Sequence, residues 1–215
     1  MSQFFSYYPK TLYSNDNKPT SLDTITNIIS RFRFEPTVAT NAAAFYYYNI
    51  KDSDTPEIIA SKYYDNPERH WIVLMFNDII DPFYDWPLNY HNFIEFVDKK
   101  YTANGAANTP SQTGLAWAMD VNNVKEYFKV ITSTVQGSST IEKISVDVNA
   151  YINVSSSSTS YSLQDGNQVT VSISRETQTY YDYENELNES KRAIKLLKPE
   201  YVSQVEDEFQ RIISA

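Results

Sequence analysis

The chain has 215 residues, a formal net charge of -9 and no cysteine. This length allows one large domain or two small ones, and the negative charge argues against a protein that binds nucleic acid through concentrated lysine and arginine. The lack of cysteine excludes disulfides, thiol catalysis and cysteine-ligated zinc within this chain.

Aromatic residues are the unusual feature of the composition. There are 18 tyrosines and 11 phenylalanines but only 4 glycines. Tyrosine combines a large contact area with a polar tip, so it is enriched where proteins bind other proteins. The same side chains can also fill a small core, and the composition leaves both roles open.

No targeting or membrane segment is predicted. The first residues, MSQFFSYYPK, lack the basic and then apolar pattern of a signal peptide. The longest apolar run, residues 71–76, is far below the ~20 residues of a transmembrane helix.

Residues 1–44 are predicted to form an arm and a helix. Residues 1–19 mix aromatic residues with helix breakers, which favours an irregular arm. The apolar residues of 21–35 recur at helical spacing after Ser21, which is a suitable cap. The aromatic residues of the arm that we expect at an interface are Phe4, Phe5, Tyr7 and Tyr8.

Residues 45–101 are predicted to form a compact module and a following helix. Residues 45–50 are aromatic and end in a β-branched residue, which favours a strand. Thr55 before Pro56 predicts the start of one helix, and Asn66 before Pro67 predicts the start of another.

The second helix and the segment after it complete this module. Trp71, Leu74 and Met75 share one face of the helix, and we expect Trp71 in the core. The prolines in residues 81–88 impose extended geometry on the residues before them, which predicts a second strand beside the first. A further helix then begins at Asn89 and is expected to end near Tyr101.

The remaining chain is predicted as a β-rich region, residues 102–179, and a helical segment, residues 180–215. Residues 103–112 are small and polar and mark the boundary before the β-rich region. Alternation at 127–131, 144–148 and 169–173 indicates a small antiparallel sheet, with a loose loop at 155–158. Helices are expected at 180–190 and from Pro199, whereas 192–197 fits either a helix or a strand.

The order strand, helix, helix, strand resembles a LysM module. Residues 54–60 (DTPEIIA) look like its D-T-x-x-x-I-A core, and 66–80 look like its second half. Ser53 replaces the usual glycine, and residues 81–87 (DPFYDWP) replace the usual glycine-rich turn. With that continuation, the chain is similar to the baseplate wedge protein 53 family of contractile-tailed bacteriophages, a resemblance that residues 186–213 share loosely.

The resemblance implies an α+β protein with a LysM-like βααβ module, flanking helices and a small antiparallel β region. It also implies a structural subunit of the virion tail baseplate, made in the host cytoplasm, present in multiple copies and bound to other wedge subunits. On this interpretation the module has interface candidates too, and they are Tyr47, Phe83, Tyr84, Asp85 and Trp86. No nucleic acid, membrane or cofactor is expected as a partner.

Catalysis and sugar binding are the alternatives to a structural role. His70 and His91 lack the spacing of zinc ligands, and no nucleophile elbow or phosphate-binding loop occurs. Paired carboxylates could hydrolyse glycosides, but Glu57, Asp81 and Asp85 are better explained as helix-start and turn residues. LysM domains commonly bind N-acetylglucosamine polymers such as peptidoglycan, and the corresponding loops are 52–56 and 79–82.

Overall fold

The computed structural model describes residues 7–14, 22–28, 33–34, 40–163 and 166–213. It mixes helices with small antiparallel sheets, which confirms the predicted α+β class. The chain divides into two compact units. Unit 1 contains Met1–Asn89 together with Glu189–Ala215, and unit 2 contains Tyr90–Asn188. Unit 2 is therefore inserted into the sequence of unit 1.

The described elements follow in chain order. They are β1 (Lys10–Tyr13), β2 (Asp23–Thr26), β3 (Phe45–Asn49), α1 (Pro56–Tyr64), a 3-10 turn (Pro67–Arg69), α2 (His70–Phe76), α3 (Pro82–Asp85), α4 (Tyr90–Asn108), α5 (Gly114–Met119), β4 (Val124–Val135), β5 (Ser138–Val146), α6 (Val148–Asn153), β6 (Ser157–Ser162), β7 (Gln168–Thr179), α7 (Tyr180–Ser190), β8 (Ala193–Leu197) and α8 (Pro199–Ile213).

The predicted N-terminal helix is wrong where the structure describes it. Residues of β2 pair antiparallel with β1, and Lys10 lies opposite Thr26. Three consecutive β-branched residues, Thr24, Ile25 and Thr26, favour the strand more strongly than the apolar spacing favours a helix. The prediction for Phe4 and Phe5 falls outside the described residues.

The two predicted helix starts in unit 1 are confirmed. The Thr55 hydroxyl accepts a hydrogen bond from the amide of Ile58, and Pro56 is the first helical residue. The Asn66 side chain accepts from the amide of Glu68 and starts the 3-10 turn that leads into α2. Side-chain caps of this kind satisfy amides that a helix leaves unpaired.

The predicted second strand at 81–88 is wrong. Asp81 has extended backbone geometry, as the following proline requires, but its carboxylate accepts from the amide of Phe83 and begins helix α3. Asp81 and Pro82 thus act as Thr55 and Pro56 do. The strand that pairs with β3 is β8, in an antiparallel register that places Phe45 opposite Leu197.

The core of unit 1 lies where α1, α2 and β8 meet α8. Trp71 is buried, as predicted, and its ring centroid lies 4.8 Å from that of Phe209 in α8. The other largest fully buried side chains include Ile59, Ile72, Val73, Leu196, Leu197 and Val202. Half of these come from the central helices α1 and α2, and half come from the C-terminal segment that contains β8 and α8. Neither part can therefore form the core alone.

Unit 2 contains a four-stranded antiparallel sheet in the order β5-β4-β7-β6. The alternating segments at 127–131 and 169–173 form strands, as predicted, and these are the two central strands of the sheet. The turn between β4 and β5 has positive φ at Gln136 and Gly137, which suits a two-residue hairpin. The predicted loop at 155–158 is partly wrong, because β6 begins at Ser157.

Helix α4 extends to Asn108 and is longer than predicted. Asn-Gly is a typical turn sequence, and Asn104-Gly105 lies in the predicted boundary 103–112, but Gly105 is a buried helical residue. A Cβ atom there would lie 2.7 Å from the carbonyl oxygens of Gln112 and Thr113. Gly105 therefore allows the chain that leads into α5 to pack against α4.

We predict that Gly105→Ala destabilises the protein by about 2 kcal/mol, because backbone atoms must move to accept the methyl group. Helix propensity alone predicts the opposite, a gain of about 1 kcal/mol. Urea unfolding measures the difference. Gly137→Asn is the control, since a Cβ atom at Gly137 would have no neighbour within 4 Å and asparagine tolerates its positive φ. Stabilisation by Gly105→Ala would contradict the packing role.

Candidate interaction surface

Asp54 is the polar centre of unit 1. Its side chain is fully buried, and it accepts hydrogen bonds from the Tyr48 hydroxyl at 2.6 Å, the Lys62 ammonium at 2.7 Å and the Lys51 amide at 3.1 Å. Burial opposes ionisation, but the bonds from Lys62, Tyr48 and the Lys51 amide outweigh it and lower the pKa of Asp54. Asp54 therefore fixes the loop between β3 and α1 as a charged, fully bonded group.

Trp86 connects this loop to the segment that follows α2. Its indole N–H donates to the carbonyl oxygen of Asp54 at 3.1 Å, and its ring packs against the core. The Asp85 carboxylate accepts from the amides of Ile80 and Asp81, which folds the segment back on itself. The Lys191 ammonium donates to the carbonyl oxygen of Tyr84. The segment 80–86 is thus held at both its backbone and its tryptophan.

Two side chains in this fixed segment point into solvent. Phe83 is 89% exposed and Tyr84 is 73% exposed, and the neighbouring Ile80 is exposed as well. Exposed apolar side chains on an ordered backbone lose little further entropy on binding, which favours their use as contact points. We call Ile80, Phe83 and Tyr84 the aromatic turn.

The outer edge of β8 is closed by side chains from the central helices. The Asn77 amide nitrogen donates to the carbonyl oxygen of Lys195 at 2.8 Å, and the Asn77 oxygen accepts from the Lys195 amide at 2.7 Å. The Tyr64 hydroxyl donates to the carbonyl oxygen of Leu197 at 3.0 Å. Asn77 therefore replaces a neighbouring strand and attaches the end of α2 to the C-terminal segment.

Arg192 holds the entrance to β8. Its guanidinium pairs with Asp52 at 2.8 Å and with Glu189 at 2.7 Å, and it also donates to the carbonyl oxygens of Ile50 and Leu88. Burial opposes its charge, but Glu189 and Asp52 outweigh that effect and raise the pKa of Arg192. One side chain thus binds the end of β3, the loop after it and the residues after α3.

The predicted interface residues occupy different environments. Tyr47, on β3, is 79% exposed and contacts Phe45 edge to face. Phe83 and Tyr84 lie in the aromatic turn, whereas Asp85 and Trp86 support it. The sequence does not indicate that Asp85 and Trp86 support the turn, nor that Ile80 is exposed.

The described part of the arm packs on the same unit. Tyr8 is buried, and its ring lies 6.0 Å from that of Phe209. Tyr7 is partly exposed and meets Phe209 edge to face at 6.3 Å. These contacts attach the arm to α8.

The carboxylates and histidines that could carry chemistry have structural partners. Asp81 and Asp85 bind backbone amides, Glu57 lies in the first turn of α1, and the His70 ring contacts the carbonyl oxygen of Pro67. Among the described residues, no group of three or more histidines, aspartates or glutamates is arranged to hold a metal ion. Within the same residues, every helix is too short or too polar to cross a membrane.

A shallow groove of about 340 Å³ lies beside the aromatic turn. It is lined by Asn77, Asp78, Ile79, Asp85, Lys191, Ala193 and Ile194. The loop at 52–56 does not contribute to its lining, and Trp86 bonds to that loop instead. Trp86 thus attaches the segment after α2 to the loop at 52–56, outside the groove.

Exposed aromatic residues on an ordered backbone are typical of surfaces that bind other proteins. The family model for base plate wedge protein 53 matches residues 3–212, and the chain belongs to that family of structural phage baseplate proteins. A segment of 82 residues is 38% identical to the baseplate wedge protein gp53 of Enterobacteria phage T4. That match spans 37% of this chain and 39% of the T4 protein.

We predict that Asp54→Asn destabilises the protein by about 2 kcal/mol at neutral pH, because the buried bonds lose their negative charge. The free energy of unfolding in urea measures this loss. Asp207→Asn is the control, since Asp207 is exposed and has no ion pair among the described residues. An equal effect of both changes would contradict the role of Asp54.

The effect of Asp54→Asn should also depend on pH. The pKa of Asp54 is lowered below its ordinary value in the folded state, so the stabilising contribution of this carboxylate is complete at neutral pH. It is lost as the pH falls through that lowered pKa. Unfolding experiments between about pH 7 and about pH 3 should show the two proteins converging at the acidic end. A difference that grows towards acid would reverse the sign and contradict the assignment.

Proposed function

We propose that this chain joins neighbouring components of a baseplate wedge through the exposed aromatic residues of unit 1. The carrying observation is that Phe83 and Tyr84 are largely exposed although their backbone is fixed by Asp81, Asp85 and Lys191. A soluble monomer gains nothing from presenting two large apolar rings on a rigid turn, whereas an interface does. Membership in a baseplate wedge family supports the identity of the partners.

Tyr47 extends the proposed contact area along β3. In the N-terminal arm, the proposed contact residue is Tyr7, which is partly exposed. Tyr8 is buried against α8 and is not available to a partner. We further propose that the described module is LysM-like, with β8 in the place of the last strand, and that it serves as the scaffold for these contacts. On this proposal the protein acts in the virion tail baseplate, in several copies per particle.

Peptidoglycan binding is the weaker alternative. A groove is present beside Ile79, and polar residues line it. However, the Trp86 indole is bonded to Asp54 and packed on the core, so it is not presented for stacking on a sugar. Asp52, in the other loop, is paired with Arg192. The chemistry of both loops therefore favours a protein partner.

We predict that Phe83→Ser with Tyr84→Ser prevents baseplate assembly. Truncation of a hot-spot residue costs about 2 kcal/mol or more of binding free energy, so incorporation of the double variant into tails should fall at least about tenfold. The measurement is negative-stain microscopy of tails, with the amount of this chain in purified tails as a second readout. The free double variant should unfold at the same urea concentration as the wild type, since both side chains are exposed.

Val121→Ser is the matched control, because Val121 is an exposed apolar residue of unit 2. It should be incorporated normally. Complete baseplates from the double variant would contradict the proposal. Retention of the free chain on peptidoglycan, abolished by chitooligosaccharide, would favour the alternative.

A further inference from the structure

The sheet formed by β3 and β8 has one closed edge, and its other edge is open as far as the described residues go. The Lys198 amide donates to the Ala44 carbonyl oxygen, and the Ile50 amide donates to that of Arg192, both at 2.9 Å. Ladder bonds in an antiparallel pair involve every second residue of each strand. Tyr46 and Tyr48 therefore direct their backbone groups towards β8.

The alternate residues of β3 direct their backbone groups away from β8. Tyr47 and Asn49 are both largely exposed, and their N–H and C=O groups have no hydrogen-bond partner among the residues that the structure describes. The opposite edge of the sheet differs, because Asn77 and Tyr64 bind the outward groups of Lys195 and Leu197. Side chains thus occupy the edge of β8, whereas no described residue occupies the edge of β3.

The β3 edge also lacks the features with which proteins prevent strand pairing. Its sequence, FYYYN, contains no charge and no proline, and its register with β8 is regular from Phe45 to Asn49. Natural edge strands are normally protected by lysine, proline or a bulge. An unprotected edge with exposed tyrosines is suited to receiving an additional strand.

The charges around this strand indicate the chemistry of the segment that it would receive. Lys198 lies beside Ala44 at one end, with its ammonium 5.3 Å from the Tyr46 ring centroid, and Lys51 follows the other end. Neither ammonium has a carboxylate partner among the described residues, although the chain as a whole carries a net charge of -9. Carboxylates on an incoming segment would complement both lysines. A second copy of β3 would instead bring like charges together.

We propose that the open edge of β3 binds an extended, acidic segment of another protein chain, which adds a third strand to the sheet. This inference rests on the proposed function and specifies how one partner is held: main-chain bonds from Tyr47 and Asn49 supply the pairing, and Lys51 with Lys198 select a negatively charged segment. The aromatic turn is a separate contact, so the two can be tested independently.

Hydrogen–deuterium exchange of the full chain, free and in purified tails, tests the proposal. In the free chain the Tyr47 and Asn49 amides should exchange fast and the Tyr46 and Tyr48 amides slowly. In tails the outward pair should slow by at least about 100-fold, as amides do when they enter a ladder. Fast exchange of the outward pair in tails would overturn the proposal, and slow exchange in the free chain at high concentration would overturn it in favour of self-pairing.

Two variants at one position separate the backbone from the side chain. Tyr47→Val keeps the outward N–H, whereas Tyr47→Pro removes it, and proline is tolerated on an edge strand where the N–H faces solvent. Both lack the ring, so any loss of the aromatic contact is shared. We expect the proline variant to be incorporated into tails at least about tenfold less than the valine variant. Equal incorporation would overturn strand addition while leaving the result for Phe83 and Tyr84 to decide the proposed function.

Discussion

The structure of unit 1 depends on the pairing of β3 with β8. These strands come from opposite sides of unit 2 in the sequence, and the Tyr64 hydroxyl that supports β8 lies 133 residues from Leu197. Because Leu196, Leu197, Val202 and Phe209 are among the most buried side chains, the central helices have no complete core without this C-terminal segment. Closing so long a loop costs entropy, and burial of this apolar surface offsets it.

Closure of unit 1 also explains why its surface is suited to binding. Lys191 and Arg192 arrive with β8 and donate to the carbonyl oxygens of Tyr84 in α3 and of Leu88 after it, while Asn77 binds the edge of β8. The aromatic turn is therefore ordered by the same segment that completes the core. A surface of this kind is formed before a partner arrives, which lowers the entropy cost of association. That property suits a structural subunit of a phage baseplate.

Local signals in the sequence predicted local structure well. The caps at Thr55 and Asn66 and the apolar face around Trp71 depend on neighbours a few residues away. Asp81-Pro82 carries the same signal as Thr55-Pro56, yet the extended geometry that proline imposes on Asp81 led to the prediction of a strand. Local sequence signals do not identify β8 as the partner of β3, because strand pairing over this distance depends on burial of the whole segment rather than on propensity.

The candidate site shows the same contrast between local sequence signals and long-range contacts. Aromatic composition left an interface role and a core role open, and the interface candidates include Tyr47, Phe83 and Tyr84, which are exposed, as well as Tyr8 and Trp86, which pack inwards. Composition cannot separate these groups, since the Asp54 carbonyl oxygen and the Phe209 ring decide which side chains face the core. Gly105 is similar: its fit depends on carbonyl groups of a later turn, so a turn signal was misleading.

The most direct test is a disulfide across β3 and β8 in this cysteine-free chain. Tyr47 and Lys195 form a pair without ladder bonds, where Cα atoms lie about 4.5 Å apart, within the range that a disulfide requires. We expect the variant with Tyr47→Cys and Lys195→Cys to form this disulfide completely within one chain, as measured by thiol titration and peptide mass. In the control, Tyr47→Cys with Leu196→Cys, the side chains lie on opposite faces and should stay reduced. A reduced first pair, or equal oxidation of both pairs, would contradict the β3–β8 pairing on which the core of unit 1 depends.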